Sequence, residues 1–176
     1  GKFIMTNTNR LVKQFPGCDG LKTGYYRTAG FSVTATAKQN DVRIITVVMG
    51  CEKGRSRFSQ ASRLMKWGLM KFKVVELITT GTTLSNAIPV VNGEKLETIP
   101  VVTDSLSITV RKNRVEDIVM KTTLDKNLTA PIEKDTVCGE IVFTLDGVEL
   151  ARTTVVTAES IKALNWWGKL KRAVGL

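Results

Sequence analysis

The period of the apolar residues changes twice along this chain of 176 residues, and no other feature limits its fold as sharply. Residues 29–37 (Ala-Gly-Phe-Ser-Val-Thr-Ala-Thr-Ala) alternate small or apolar side chains with hydroxyls, the period of two that a strand requires. Residues 42–49 are rich in β-branched side chains and predict a central, largely buried strand. Gln39-Asn40-Asp41 supplies turn chemistry between them, so the pair predicts an antiparallel hairpin, and residues 20–26 add a third strand to the same sheet. From Ser56 to Phe72 the period becomes helical. Phe58, Ala61, Leu64, Met65, Gly68, Leu69 and Phe72 recur on one face, with Arg57, Gln60, Arg63, Lys66 and Lys71 mostly opposite.

Past residue 73 the pattern shortens. Residues 74–78, 84–91, 97–102, 107–111, 118–123, 141–145 and 148–156 read as strands separated by Gly, Asn, Asp and Pro turns. Asp146-Gly147 is a strong signal for a two-residue type I′ hairpin. Such spacing predicts a small β-sandwich. The last segment, from Ser160, is helical by period: Ala163, Trp166, Trp167, Leu170, Ala173 and Val174 share one arc, and Lys162, Asn165, Lys169 and Arg172 the other. Tryptophan beside lysine on an amphipathic terminal helix is the pattern of a membrane interface, with Trp166, Trp167, Lys169 and Leu170 as the contact residues. A terminal helix docked on its own domain is the alternative. The fold class is therefore α+β and then all-β, in three parts: 1–72, 73–158, and an amphipathic helix over 159–176.

Charge divides along the same lines. Residues 1–71 carry 13 Lys and Arg against 3 Asp and Glu, whereas residues 72–158 carry 9 against 12. Separate units explain that shift better than one uniformly basic domain. The positive residues of the first part are scattered over strand and helix faces without a stacking platform, so no nucleic-acid partner is expected. Histidine is absent, which excludes a Ser-His-Asp triad, a Cys-His site and any His-ligated metal. Cys18, Cys51 and Cys138 show no C-x-x-C spacing, so neither a metal nor another cofactor is expected. Cys18 and Cys51 flank neighbouring strands, which leaves a disulfide and two buried thiols both open. Gly1 is not an initiator Met, and the chain reads as a mature or truncated product.

The chemistry sits in Lys22-Thr23-Gly24. On a strand edge these residues form a cationic, hydrogen-bonding wall, and Gly24 leaves room for a substrate backbone to lie alongside. A peptide would pair there as an added strand. A lysine on an edge strand also guards against aggregation, which is the structural alternative. Asp19 reads as a turn-fixing residue rather than a catalytic one.

The run Asn9-Arg10-Leu11, Gly17-Cys18-Asp19-Gly20-Leu21-Lys22-Thr23-Gly24-Tyr25 and Ala29-Gly30-Phe31 resembles the serine-type D-Ala-D-Ala carboxypeptidases, the low-molecular-weight penicillin-binding proteins. So do Val47-Val48-Met49-Gly50, Arg57 and Leu64-Met65-Lys66-Trp67-Gly68. The motif set of those enzymes is S-x-x-K, S-x-N and K-T-G. The resemblance covers the whole chain. It implies the end of a transpeptidase-like domain, then the family's C-terminal β domain and its amphipathic anchor.

It also implies roles. Lys22 would supply positive charge and assist proton transfer, Thr23 would bond the substrate carboxylate, and the backbone N–H of Tyr25 would serve an oxyanion hole. Arg57 would support the same carboxylate; a solvated helix position is its alternative, with Arg55 the other candidate. The implied partners are a peptidoglycan pentapeptide ending in D-Ala-D-Ala, β-lactam antibiotics and a membrane surface, in an extracytoplasmic location. No serine opens a Ser-x-x-Lys or Ser-x-Asn, so the nucleophile is expected upstream of Gly1 and this chain alone is expected to be inactive. The sheet of residues 1–71 should then expose an apolar face, to be covered by the N-terminal portion or a self-association partner. A non-catalytic envelope-binding module is the alternative function.

Overall fold

The computed structural model describes residues 6–166. Contacts group the chain into two compact units: the residues up to Val74 with Thr109–Asn113, and Val75–Ile108 with the residues from Arg114 on.

The first unit opens with a single helical turn, α1 (Leu11–Gln14), and continues as three antiparallel strands, β1 (Cys18–Tyr26), β2 (Gly30–Gln39) and β3 (Val42–Cys51). A two-residue turn joins β2 to β3, and both of its residues, Asn40 and Asp41, have positive φ, as a type I′ hairpin turn demands. The strand order is β1-β2-β3, which corrects one expectation: β2 is the central strand of the described sheet and β3 an edge. Only one face of β3 is covered. Ile44 and Val48 pack on the core, while Ile45, Val47 and Met49 are exposed, Met49 at 75%. A β-branched run therefore misled about burial, because alternate residues of any strand face opposite ways.

Helix α2 (Gly54–Lys71) covers the inner face. Its buried residues Phe58, Ala61, Met65 and Gly68 follow the 3-4-3 spacing of one helical stripe and meet Val33, Ala35 and Ala37 of β2. Small residues on both sides bring helix and sheet close together. Removing the fully buried Met65 side chain would cost about 2–5 kcal/mol. Beyond α2 the chain enters β4 (Phe72–Ile78).

The regular structure of the second unit is made of short strands, as its punctuation predicts. Its shorter strands are β5 (Ile88–Val91), β6 (Glu97–Thr98), β7 (Pro100–Val102), the first half of β8 (Leu106–Arg111, paired with β4), β9 (Val119–Leu124) and β10 (Leu128–Thr129). The long hairpin is β11 (Val137–Leu145) with β12 (Val148–Thr157). They build one sheet in the order β10-β5-β6 and another in the order β7-β12-β11-β9. Ile88, Val102, Cys138, Ile141, Phe143 and Val155 bring residues of both sheets into one core. The hairpin turn is Asp146-Gly147, both at positive φ. Burial pushes the Cys138 thiol above its ordinary pKa, with Asp125 adding to the shift.

Residues 160–164 do not begin a helix. Ile161 is buried beside Val90, Ala130 and Ile132 and exchanges backbone hydrogen bonds with Ile132 at 2.8 and 2.9 Å. Leu164 N–H donates to Asn92 O at 2.7 Å. The backbone is thus committed to neighbouring strands where the period suggested helix. Trp166 is exposed; Trp167, Lys169 and Leu170 lie outside the described residues.

Candidate functional site

Lys22, Thr23 and Gly24 sit in β1, paired with Thr34, Val33 and Ser32 of β2. Directly opposed residues share a face, so Lys22, Thr34 and Val47 form one row across the sheet, on the side away from α2. An open cavity of about 380 Å³ lies here, bordered by Lys22, Thr23, Gly24, Ser32, Thr34 and Met49. Lys22 Nζ donates to the Thr23 carbonyl at 3.0 Å.

Arg57 reaches the same strand from the first turns of α2. Its Nη1 donates to Gly24 O at 2.8 Å and to Ser32 O at 3.2 Å. The guanidinium also lies over the Phe31 and Phe58 rings, 5.3 and 4.7 Å from their centroids. Among the described residues Arg55, the other candidate, makes no such contact with β1; it lines, together with Arg57, a cavity that Lys22 does not border. The structure therefore brings Arg57 to Gly24, on the strand that also carries Lys22 and Thr23. Tyr25 follows them on β1, its ring stacked on Phe31 at 4.3 Å.

Two residues that periodicity could not single out hold this strand in place. The Thr8 and Thr23 hydroxyls are 2.7 Å apart and hydrogen-bonded. Asn9 is 1% exposed: its Nδ2 donates to Gly20 O at 2.9 Å and its Oδ1 accepts from Leu11 N–H at 3.1 Å. One side chain thereby ties the turn of α1 to β1 two residues before Lys22. Asn is a residue type whose side chain readily bonds the backbone two residues on, and that is the local signal the sequence holds for this role.

Asp19 is fixed by the paired nitrogens of Arg43 at 2.8 and 2.9 Å, and that guanidinium lowers its pKa; Arg43 also reaches Thr36. The carboxylate holds a cross-strand pair, in keeping with a structural role. The three cysteines are free. Cys18 stands opposite Ala37 and Cys51 opposite Phe31, six positions apart on β2, or roughly 20 Å at strand rise. A disulfide needs Cα atoms within about 7 Å, so the question left open by the sequence resolves to separate thiols. Among the described residues no group of three or more His, Cys, Asp or Glu could hold a metal.

Residues 72–163 match the family described as penicillin-binding protein 5, C-terminal domain, and residues 1–53 match D-alanyl-D-alanine carboxypeptidase. The chain is 31% identical to D-alanyl-D-alanine carboxypeptidase DacF of Bacillus subtilis over 99% of its length and 45% of that protein's. It is 30% identical to DacC of Escherichia coli over 96% of its length and 42% of that protein's. Among solved structures, penicillin-binding protein 5 of Haemophilus influenzae superposes with a TM-score of 0.63 at 29% identity, over 88% of this chain and 45% of that one. The carboxypeptidase DacD of Francisella tularensis gives 0.62 at 29% identity, over 90% and 39%. The chain spans less than half the length of the curated relatives it matches here.

Proposed function

The chain belongs to the penicillin-binding protein 5 family of D-alanyl-D-alanine carboxypeptidases, and from that we propose that it is the part of such an enzyme that grips the substrate's C-terminus. The complete protein would remove the terminal D-Ala from peptidoglycan stem peptides through a serine acyl-enzyme, outside the cytoplasm. The observation that carries this reading is the Arg57 guanidinium on the Gly24 carbonyl, which sets a fixed cation against the last residue of the Lys22-Thr23-Gly24 run.

In this reading Thr23 donates to the substrate carboxylate and Arg57 balances its charge. Lys22 keeps the acylation site positive, and the Tyr25 N–H is one donor to the oxyanion. The substrate backbone would lie along β1 beside Gly24, where no side chain obstructs it. The chain carries no Ser-x-x-Lys, so the nucleophile belongs to a portion outside these residues. That portion, or a second copy, would also cover exposed Ile45, Val47 and Met49. β-Lactams would acylate the same serine as the substrate. The segment of Trp166, Trp167, Lys169 and Leu170 would hold the enzyme at the membrane surface.

Labelled penicillin tests the assignment. The complete protein should be acylated and the 176-residue chain should not; stable labelling of this chain would refute it. Vesicle co-sedimentation of the chain with Trp166→Ala and Trp167→Ala tests the membrane contact, which unchanged binding would remove.

A further inference from the structure

Two adjoining cavities, about 580 and about 420 Å³, lie between α1 and the start of α2 and share Arg10, Gln14, Arg55 and Phe58 in their walls. Lys13 lines the larger one. Arg10, Lys13 and Arg55 thus converge on one groove, and none of the three is ion-paired or hydrogen-bonded through its side chain among the described residues. Few acids are at hand. Of the three in residues 1–71, Asp19 is held by Arg43 and Asp41 by Lys38, which leaves Glu52, and Glu52 lines neither cavity.

Three like charges drawn together without a counter-charge repel one another, and a bound anion relieves that repulsion. The groove has further donors for one. Gly54 lines it at the N-terminus of α2, a helix of 18 residues with no acidic residue in its first turn and no side-chain cap. Its leading N–H groups add partial positive charge. Arg57 also borders the groove, but its guanidinium is turned to the Gly24 and Ser32 carbonyls, so it belongs to the strand site.

We propose that this groove binds a phosphate group through Arg10, Lys13 and Arg55. Two arginine forks and an ammonium match a tetrahedral, doubly charged oxyanion better than a single carboxylate. The ligand would be a phosphate ester of the envelope, either on a soluble polymer or in a lipid headgroup. This goes beyond the carboxypeptidase reading and does not depend on it, because a chain without a nucleophile can still bind.

The test uses the 176-residue chain and inorganic phosphate at low ionic strength, read by backbone amide NMR shifts. Saturable shifts should cluster at residues 10–14 and 54–59. Arg10→Gln, Lys13→Gln and Arg55→Gln together should weaken binding at least about tenfold, the loss of roughly one charge-assisted contact. A charge-matched variant of the same unit, Lys66→Gln, Lys71→Gln and Lys73→Gln, should stay within about twofold of the parent. Equal weakening in both variants, or shifts that never saturate, would overturn the proposal by reducing it to a diffuse ion atmosphere. A second arm uses phosphatidylglycerol and phosphatidylcholine vesicles. Loss of phosphatidylglycerol binding in the first variant alone assigns the site to lipid headgroups; vesicle binding unaffected by that variant, with phosphate binding lost, assigns it to soluble phosphate esters.

Discussion

Arg57 Nη1 lies 2.8 Å from the carbonyl oxygen of Gly24, so the helix that packs on the sheet also holds the last residue of the Lys-Thr-Gly run. The same nitrogen reaches Ser32 O, and Phe31 and Phe58 flank the guanidinium. Arg57→Ala should cost roughly 1–3 kcal/mol through the lost charged hydrogen bonds and ring contacts. Arg57→Lys keeps the charge but not the planar fork, and should fall between the two. Amide exchange at residues 22–26 checks this: protection should drop most there, ahead of the β11–β12 hairpin.

Asn9 should be among the most sensitive polar positions of the first unit. Truncation to Ala strands the Gly20 carbonyl and the Leu11 N–H in a buried place, at about 1–3 kcal/mol. Asn9→Asp keeps the acceptor for Leu11 but loses the donor to Gly20, so its cost should approach that of Ala. Denaturant midpoints of the two variants test this; an Asp variant as stable as the parent would show that the Gly20 contact contributes nothing.

What the sequence made legible follows from local periodicity. Three strands, a packing helix and the Asp146-Gly147 hairpin could all be read, because each is a pattern of neighbours. The Lys22-Thr23-Gly24 wall and Arg57 came from motif and resemblance, and the fold supplies their contact. Three features were hidden. The exposure of β3 depends on what covers the sheet, and its own residues cannot report that. Thr8 and Asn9 act through hydrogen bonds to residues 15 and 11 positions away, and no period marks such pairs. Residues 160–164 have helical spacing, yet Ile161 is more stable buried against Ile132 and Val90. There tertiary burial overrode the local pattern.

The Asp19–Arg43 pair predicts an acid-side dependence. Arg43 holds the Asp19 carboxyl below the ordinary carboxylate range in the folded chain, so the unfolded chain binds the proton more tightly. The pair's stabilisation is present above the unfolded pKa of about 3.9 and disappears as pH falls through the lower folded value. Carboxyl carbon NMR should give Asp19 a midpoint below the ordinary carboxylate range, and Arg43→Gln should return it to that range. The stabilities of parent and variant should converge toward the acid limit rather than diverge.

Gly68 offers a change of sign. On helix propensity alone Gly68→Ala should gain about 1 kcal/mol in the interior of α2. An added Cβ, however, would lie 2.8 and 2.9 Å from Ile44 Cδ1 and Cγ1 and 3.2 Å from Cγ2. All three atoms belong to one stiff, β-branched side chain packed against the core, so it cannot simply swing aside. Overpacking of this kind costs about 1–3 kcal/mol and should outweigh the propensity gain. Replacing Ile44 by Ala removes the three clashing atoms. In that background Gly68→Ala should become stabilising, and a double-mutant cycle would report the reversal as a coupling between the two sites. If Gly68→Ala stabilises the chain even with Ile44 present, the close approach of α2 to β3 is not a constraint on this position.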